Sequence, residues 1–154
     1  MATNSKREQI LLAVSSRLEA LSWQKAVRRS RPSFDSLKSI PNTLFPFISV
    51  TGSLPSGQPA KRDNQSAYAK YTKFISTLRI ELVVFDFIYN NDSYDSLISN
   101  RADDLWASIY SEPSFGDLLL SCLIEPEMVI GIWDPYMAFK LTIVGTYHHG
   151  IGGI

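Results

Sequence analysis

The stretch from Tyr71 to Tyr89 constrains the fold more than any other part of the chain. It is rich in β-branched and aromatic residues and holds neither glycine nor proline, which reads as one long strand. Ile80, Leu82, Val84 and Ile88 fall on one face, with Asp86 interrupting; Arg79, Glu81, Val83, Phe85, Phe87 and Tyr89 fall on the other. The alternation is clean up to Glu81, and then both faces turn apolar. A half-exposed arm leading into a centre covered on both sides produces that switch.

Two helices are expected to cover such a strand. Ser5 and Glu8 form a capping-box pattern ahead of Leu11, Val14, Leu18 and Leu21, whose spacings of three, four and three make one apolar stripe. The first helix is therefore expected from Lys6 to Leu21. The second is expected from Tyr94 to Ser111, with Ile98, Ala102, Leu105 and Ile109 as its stripe and Leu97, Trp106 and Tyr110 widening it. Asn90-Asn91-Asp92-Ser93 supplies its cap, Asp95 complements its dipole and Pro113 marks its end.

Shorter strands are expected at Ala26–Arg29, at Leu44–Val50 with Pro46 near an edge or a strand start, at Met128–Trp133, and at Met137–His148 after an Asp134-Pro135 turn. Ser30–Pro41 reads as a loop pinned by Phe34 and Leu37, and Phe115–Leu120 as a short turn or helix. Residues 51–67 read as a long polar loop between two strands, a projecting hairpin arm, and residues 149–154 as a flexible tail. The expectation is a single α+β domain, residues 1–154, with an antiparallel or mixed sheet and both main helices packed on it.

Chemistry is hard to find in this sequence. The only imidazoles, His148 and His149, are adjacent, so on a strand they point to opposite faces, and no G-x-S-x-G elbow surrounds a serine. Zinc and calcium motifs are missing, and the oxygen-rich Asn90–Asp95 segment reads as a turn with helix caps. Glu125 and Glu127 share a strand face but flank Pro126. Gly150-Ile151-Gly152-Gly153 precedes no helix, so it is not a dinucleotide fingerprint. No catalytic, cofactor-binding or metal-binding residue is assigned, and the chain reads as a non-enzyme. The lone Cys122, between Ser121 and Leu123-Ile124, reads as a small packed apolar group. No signal peptide or membrane-spanning run is recognised, so a soluble protein made in the cytoplasm is expected.

Charge is more informative. The net charge is zero, yet residues 1–80 carry 13 Lys and Arg against 4 Asp and Glu, and residues 81–154 carry 2 against 11. Interleaving of the two halves in space would blur this polarity. If it survives folding, one flank is basic and another acidic, and such a body pairs head-to-tail with its own copies; contacts of that type close into rings. The interface residues expected on this basis are Arg28, Arg29, Lys61 and Arg62, facing acids such as Asp103, Asp104 or Glu112 of a neighbouring copy or of another assembly partner.

The order of features resembles a family, the tail-terminator (lambda-type minor tail, or tail completion) proteins of long-tailed bacteriophages. Arg7-Glu8-Gln9-Ile10-Leu11-Leu12-Ala13-Val14 with Arg17-Leu18 looks like that group's first helix. The strand Phe45–Val50, the long loop, Leu82-Val83-Val84-Phe85-Asp86, Ala102–Ile109, Ser114–Leu118 and the closing strand Met137–Tyr147 follow in its order. Phe115-Gly116-Asp117-Leu118 departs from the Leu-Gly-Gly-Leu-type turn common there.

The resemblance implies a virion structural protein that forms a hexameric ring, caps the tail tube and presents a joining surface to the head-side connector. It also implies assembly in the host cytoplasm and a position beside DNA in the channel. Other head–tail connector or neck subunits share the helix-and-sheet layout, as does a non-enzymatic adaptor that binds protein partners.

Overall fold

A computed structural model of the chain describes residues 5–53, 73–88 and 94–150. The elements run α1 (Lys6–Leu18), β1 (Ala26–Arg28), a 3-10 helix (Phe34–Ser39), a 3-10 turn (Asn42–Leu44), β2 (Phe47–Gly52), β3 (Lys73–Phe87), α2 (Tyr94–Tyr110), β4 (Ser121–Ile124), β5 (Val129–Trp133) and β6 (Tyr136–Gly150). The fold is α+β, with a mixed six-stranded sheet in the order β1-β2-β3-β6-β4. Strand β5 also pairs with β6, next to β4 along the same side. Only β1 and β2 run parallel; the other pairs are antiparallel.

The long strands β3 and β6 form the spine, paired from Lys73↔Gly150 to Phe87↔Tyr136. Helices α1 and α2 cover one face of it. Leu11, Val14 and Leu18 from α1, and Ile98, Leu105 and Ile109 from α2, close over Ile80, Leu82, Val84, Leu141 and Ile143. Burying each such side chain stabilises by about 1.5–3 kcal/mol, so this face holds most of the driving force.

Among the described residues, the opposite face is covered at one end only. There the segment of residues 34–45 folds under the sheet and places Leu37, Phe45 and Phe34 against Phe47, Val83 and Phe85. Stacked and edge-on rings, Phe47 on Phe85 at 5.0 Å and Phe45 on Phe47 at 5.1 Å, fill this second core. Toward the other end the same face carries Glu81, which receives Lys140 at 3.2 Å and Arg31 at 3.4 Å. The switch expected at Glu81 is therefore real: Arg79 is exposed and Glu81 half-buried, while Leu82 through Asp86 are all buried.

Asp86 interrupts the apolar face for a specific reason. It is fully buried, and the Arg101 guanidinium from α2 meets its carboxylate. The Trp23 ring lies against that guanidinium at 4.9 Å, and the Trp23 indole donates to Asp104 at 3.0 Å. One buried charge thus ties β3, α2 and the loop after α1 together.

Several expectations need correction. Helix α1 stops at Leu18, and Leu21 packs on the core from the turn beyond it. Ser5 caps α1 by accepting from the Glu8 N–H at 3.1 Å, but the Glu8 carboxylate pairs with Arg29. The loop expected over Ser30–Pro41 contains the 3-10 helix. Thr51 and Gly52 belong to β2 and the Ser53 N–H donates to the Arg79 carbonyl of β3, while residues 54–67 of the expected arm lie outside the described residues, as do the Asn90–Ser93 turn and residues 151–154. His149 and Gly150, expected in the tail, extend β6. Strand β4 was not expected, and Glu125 and Glu127 share no strand, because Pro126 sits in the bend between β4 and β5.

Candidate assembly interface

The two edges of the sheet are built differently. At one end β1 is three residues long, and Val27 and Ala26 turn their side chains toward the two cores. Arg28 lies over the Phe47 ring at 5.5 Å. Lys25, just before the strand, is exposed. Among the described residues neither Lys25 nor Arg28 has a carboxylate partner.

At the other end β4 and β5 lie in line along β6, which pairs through residues 136–140 with β5 and through 143–146 with β4. Strand β5 is apolar on both faces and only half covered by the described residues: Val129 is 58% exposed, Ile130 45%, Ile132 49% and Trp133 50%. Leu123 on β4 and Leu120 just before it continue the apolar strip. Covering the remaining half of the four β5 side chains would yield about 4 kcal/mol. In an antiparallel ladder every second residue of an edge strand turns its N–H and C=O away from its partner. The outer side of β5 is therefore a row of hydrogen-bonding groups framed by apolar side chains.

Acids flank this strip. Glu127 precedes β5 and Asp134 follows it, both exposed and neither with a basic partner among the described residues. Glu125, in the bend, is held by Arg79 at 2.6 Å. Beneath β5 a cavity of about 320 Å³ opens between the Arg31–Phe34 segment and the sheet, lined by Phe34, Val83, Phe85, Val129 and Lys140. Gly131 faces the Phe34 ring, where an added Cβ would lie 3.5 Å away, and the same ring stacks on Trp133 at 5.0 Å. The 3-10 segment thus steadies the underside of β5 but leaves its outer rim open.

The interface residues expected from sequence divide into three groups. Arg28 stands half-buried at the β1 edge and Asp103 is exposed on α2, neither with an ion-pair partner among the described residues. Arg29, Asp104 and Glu112 are engaged within the chain. Arg29 donates to the Val50 carbonyl and pairs with Glu8, and Asp104 accepts from Trp23. Glu112 pairs with Arg17 at 3.0 Å and accepts from the Gly116 N–H at 2.8 Å and from Ser114. Those contacts, the Gly116 N–H first, hold the Glu112 carboxyl below the usual range. Lys61 and Arg62 lie outside the described residues.

Folding thus spends part of the charge split internally and leaves part of it at the two sheet edges. Sequence reading missed Glu127 and Asp134; their positions on either side of the Val129–Trp133 run were the available signal. Cys122 is half-buried against the helix-side core, and burial pushes its thiol pKa up, which suits a packed group and not a nucleophile. No helix among the described residues is long and apolar enough to cross a membrane. No protein family matches the chain, and no curated protein matches it in sequence.

Proposed function

We propose that this chain is a structural subunit that assembles head-to-tail with copies of itself into a ring, in the manner of the tail-terminator proteins its sequence resembles. On this reading it is not an enzyme. Its ring caps a phage tail tube and offers its other face to a head-side connector, at the head-proximal end of the tail. A hexamer is the stoichiometry the resemblance implies.

The observation that carries the reading is the contrast between the two sheet edges. Among the described residues one holds Lys25 and Arg28 without acidic partners, and the other holds Glu127 and Asp134 without basic ones, around a half-exposed apolar strand. Unlike ends on one body favour heterologous contacts, and these close when the rotation between copies divides a full turn. Light scattering at low and high salt tests it, with negative-stain images of tail tubes mixed with the protein. A ring, alone or on one tube end only, supports the reading. A monomer at every salt concentration that ignores tubes overturns it.

A second reading is favoured by the cavity beneath β5. An adaptor that binds an extended segment of another protein would use the same open strand, with the cavity taking a partner side chain.

A further inference from the structure

We infer that the contact between copies is a strand pairing, in which the open side of β5 in one copy docks antiparallel on the open side of β1 in the next, making one sheet continuous between subunits. This rests on the self-assembly reading above and specifies its interface.

Three observations lead to it. The first is what each edge lacks. Among the described residues β5 pairs only with β6 and β1 only with β2, so each carries one side with no strand partner among them. Strand β5 adds four apolar side chains that the described chain leaves about half exposed.

The second observation is direction. Strand β1 runs with β2, β2 against β3, β3 against β6, and β6 against β5. Followed through the sheet, β1 and β5 point in opposite directions. A neighbour related by rotation about an axis along the strands keeps its strand directions, so its β1 meets β5 antiparallel. That is the slightly more stable pairing per residue. The twist of each strand against the next turns one edge relative to the other, so docked copies curve and do not extend flat.

The third observation is charge, and it separates this partner from the obvious competitor. Two β5 strands paired about a two-fold axis would place Glu127 of one copy beside Asp134 of the other, like against like, which disfavours that arrangement. Against β1 the antiparallel order sets the Glu127 end of β5 beside Arg28, and the Asp134 end beside Lys25. Glu127 and Asp134 are spaced by about 23 Å and Lys25 and Arg28 by about 10 Å at the rise of a strand. The long basic side chains reach across much of that difference.

Charge exchange tests the pairing. One variant carries Glu127→Arg with Asp134→Arg, and the other Lys25→Glu with Arg28→Glu, each first shown to be folded by circular dichroism. Light scattering at low salt is then read for wild type, each variant alone and their equimolar mixture. The expected result is wild-type assembly, each variant weakened about tenfold or more, and a mixture that recovers the wild-type mass, with slowed amide exchange in β5. If wild type and both variants assemble alike, the β5–β1 pairing is wrong while self-assembly stands. The pairing is equally overturned if both variants fail and the mixture does not recover. A wild type and a mixture that stay monomeric remove the self-assembly reading and the pairing with it.

Discussion

Strands β3 and β5 are both apolar on both faces, and they meet opposite fates. Leu82, Val83, Val84 and Phe85 of β3 are each at most 3% exposed, whereas the four large residues of β5 are about half exposed. The composition is alike, so the difference lies in what surrounds each strand. β3 has β2 and β6 on its two sides, helices above it, and Leu37 and Phe45 below. β5 has β6 on one side and the Phe34 ring beneath. An apolar pattern specifies that contacts are needed and not which chain supplies them. In β3 the contacts come from this chain; in β5 the described residues supply only part of them.

The largest effect that would sharpen the contrast is at Asp86. Replacing it with alanine leaves the Arg101 guanidinium buried against Trp23 without its carboxylate, and loss of one partner of a buried pair costs about 3–5 kcal/mol. Urea unfolding of Asp86→Ala should show that loss. A change below about 1 kcal/mol, the range of surface pairs, would mean that the centre of β3 is no drier than the edge.

Next comes Leu82→Ala, which opens a cavity between the helices and the sheet and is expected to cost about 2–5 kcal/mol. Its counterpart on the edge is Ile132→Ala. The monomer should lose about 0.5 kcal/mol or less, as at other surface positions, while self-association measured by sedimentation weakens. Equal losses of monomer stability in the two variants would break the comparison, because Ile132 would then belong to the core of its own chain.

Much of this contrast was legible in the sequence. The alternation that ends at Glu81 located both the half-polar arm and the doubly covered centre of β3, because strand period and burial are coupled residue by residue. Both helices were legible from their stripes, and Phe34 and Leu37 were legible as pins. What escaped depends on distant partners. Strand β4 is four residues of mixed burial whose pairing is set by β6, more than a dozen residues on. The capping box at Ser5 was half right, since Arg29 draws the Glu8 carboxylate away. Among the candidate interface residues, Arg29, Asp104 and Glu112 looked as exposed as Arg28 or Asp103. Only the fold reveals that Glu8, Trp23 and Arg17 engage them.

The smallest expected effect concerns how the open edge is anchored. Strand β4 is fed by a turn in which Phe115, Gly116 and Asp117 all take positive φ, a conformation that costs energy for the two non-glycine residues. Glu112 helps to hold it by accepting from the Gly116 N–H and Ser114 while pairing with Arg17. These contacts favour the ionised carboxylate, so its folded pKa lies below its unfolded value. The contribution is therefore present above the unfolded pKa, near the ordinary glutamate value, and is lost as pH falls through the depressed folded pKa. Glu112→Gln removes the titration, so its melting temperature should lie slightly below wild type at neutral pH and converge with it on acidification. The effect is small because the side chain is exposed and its charge screened by water. Melting curves of both proteins from neutral to acidic pH decide it: a gap that is constant, or that widens toward acid, would mean that the turn is held by the Phe115 packing under Arg17 and not by the carboxylate.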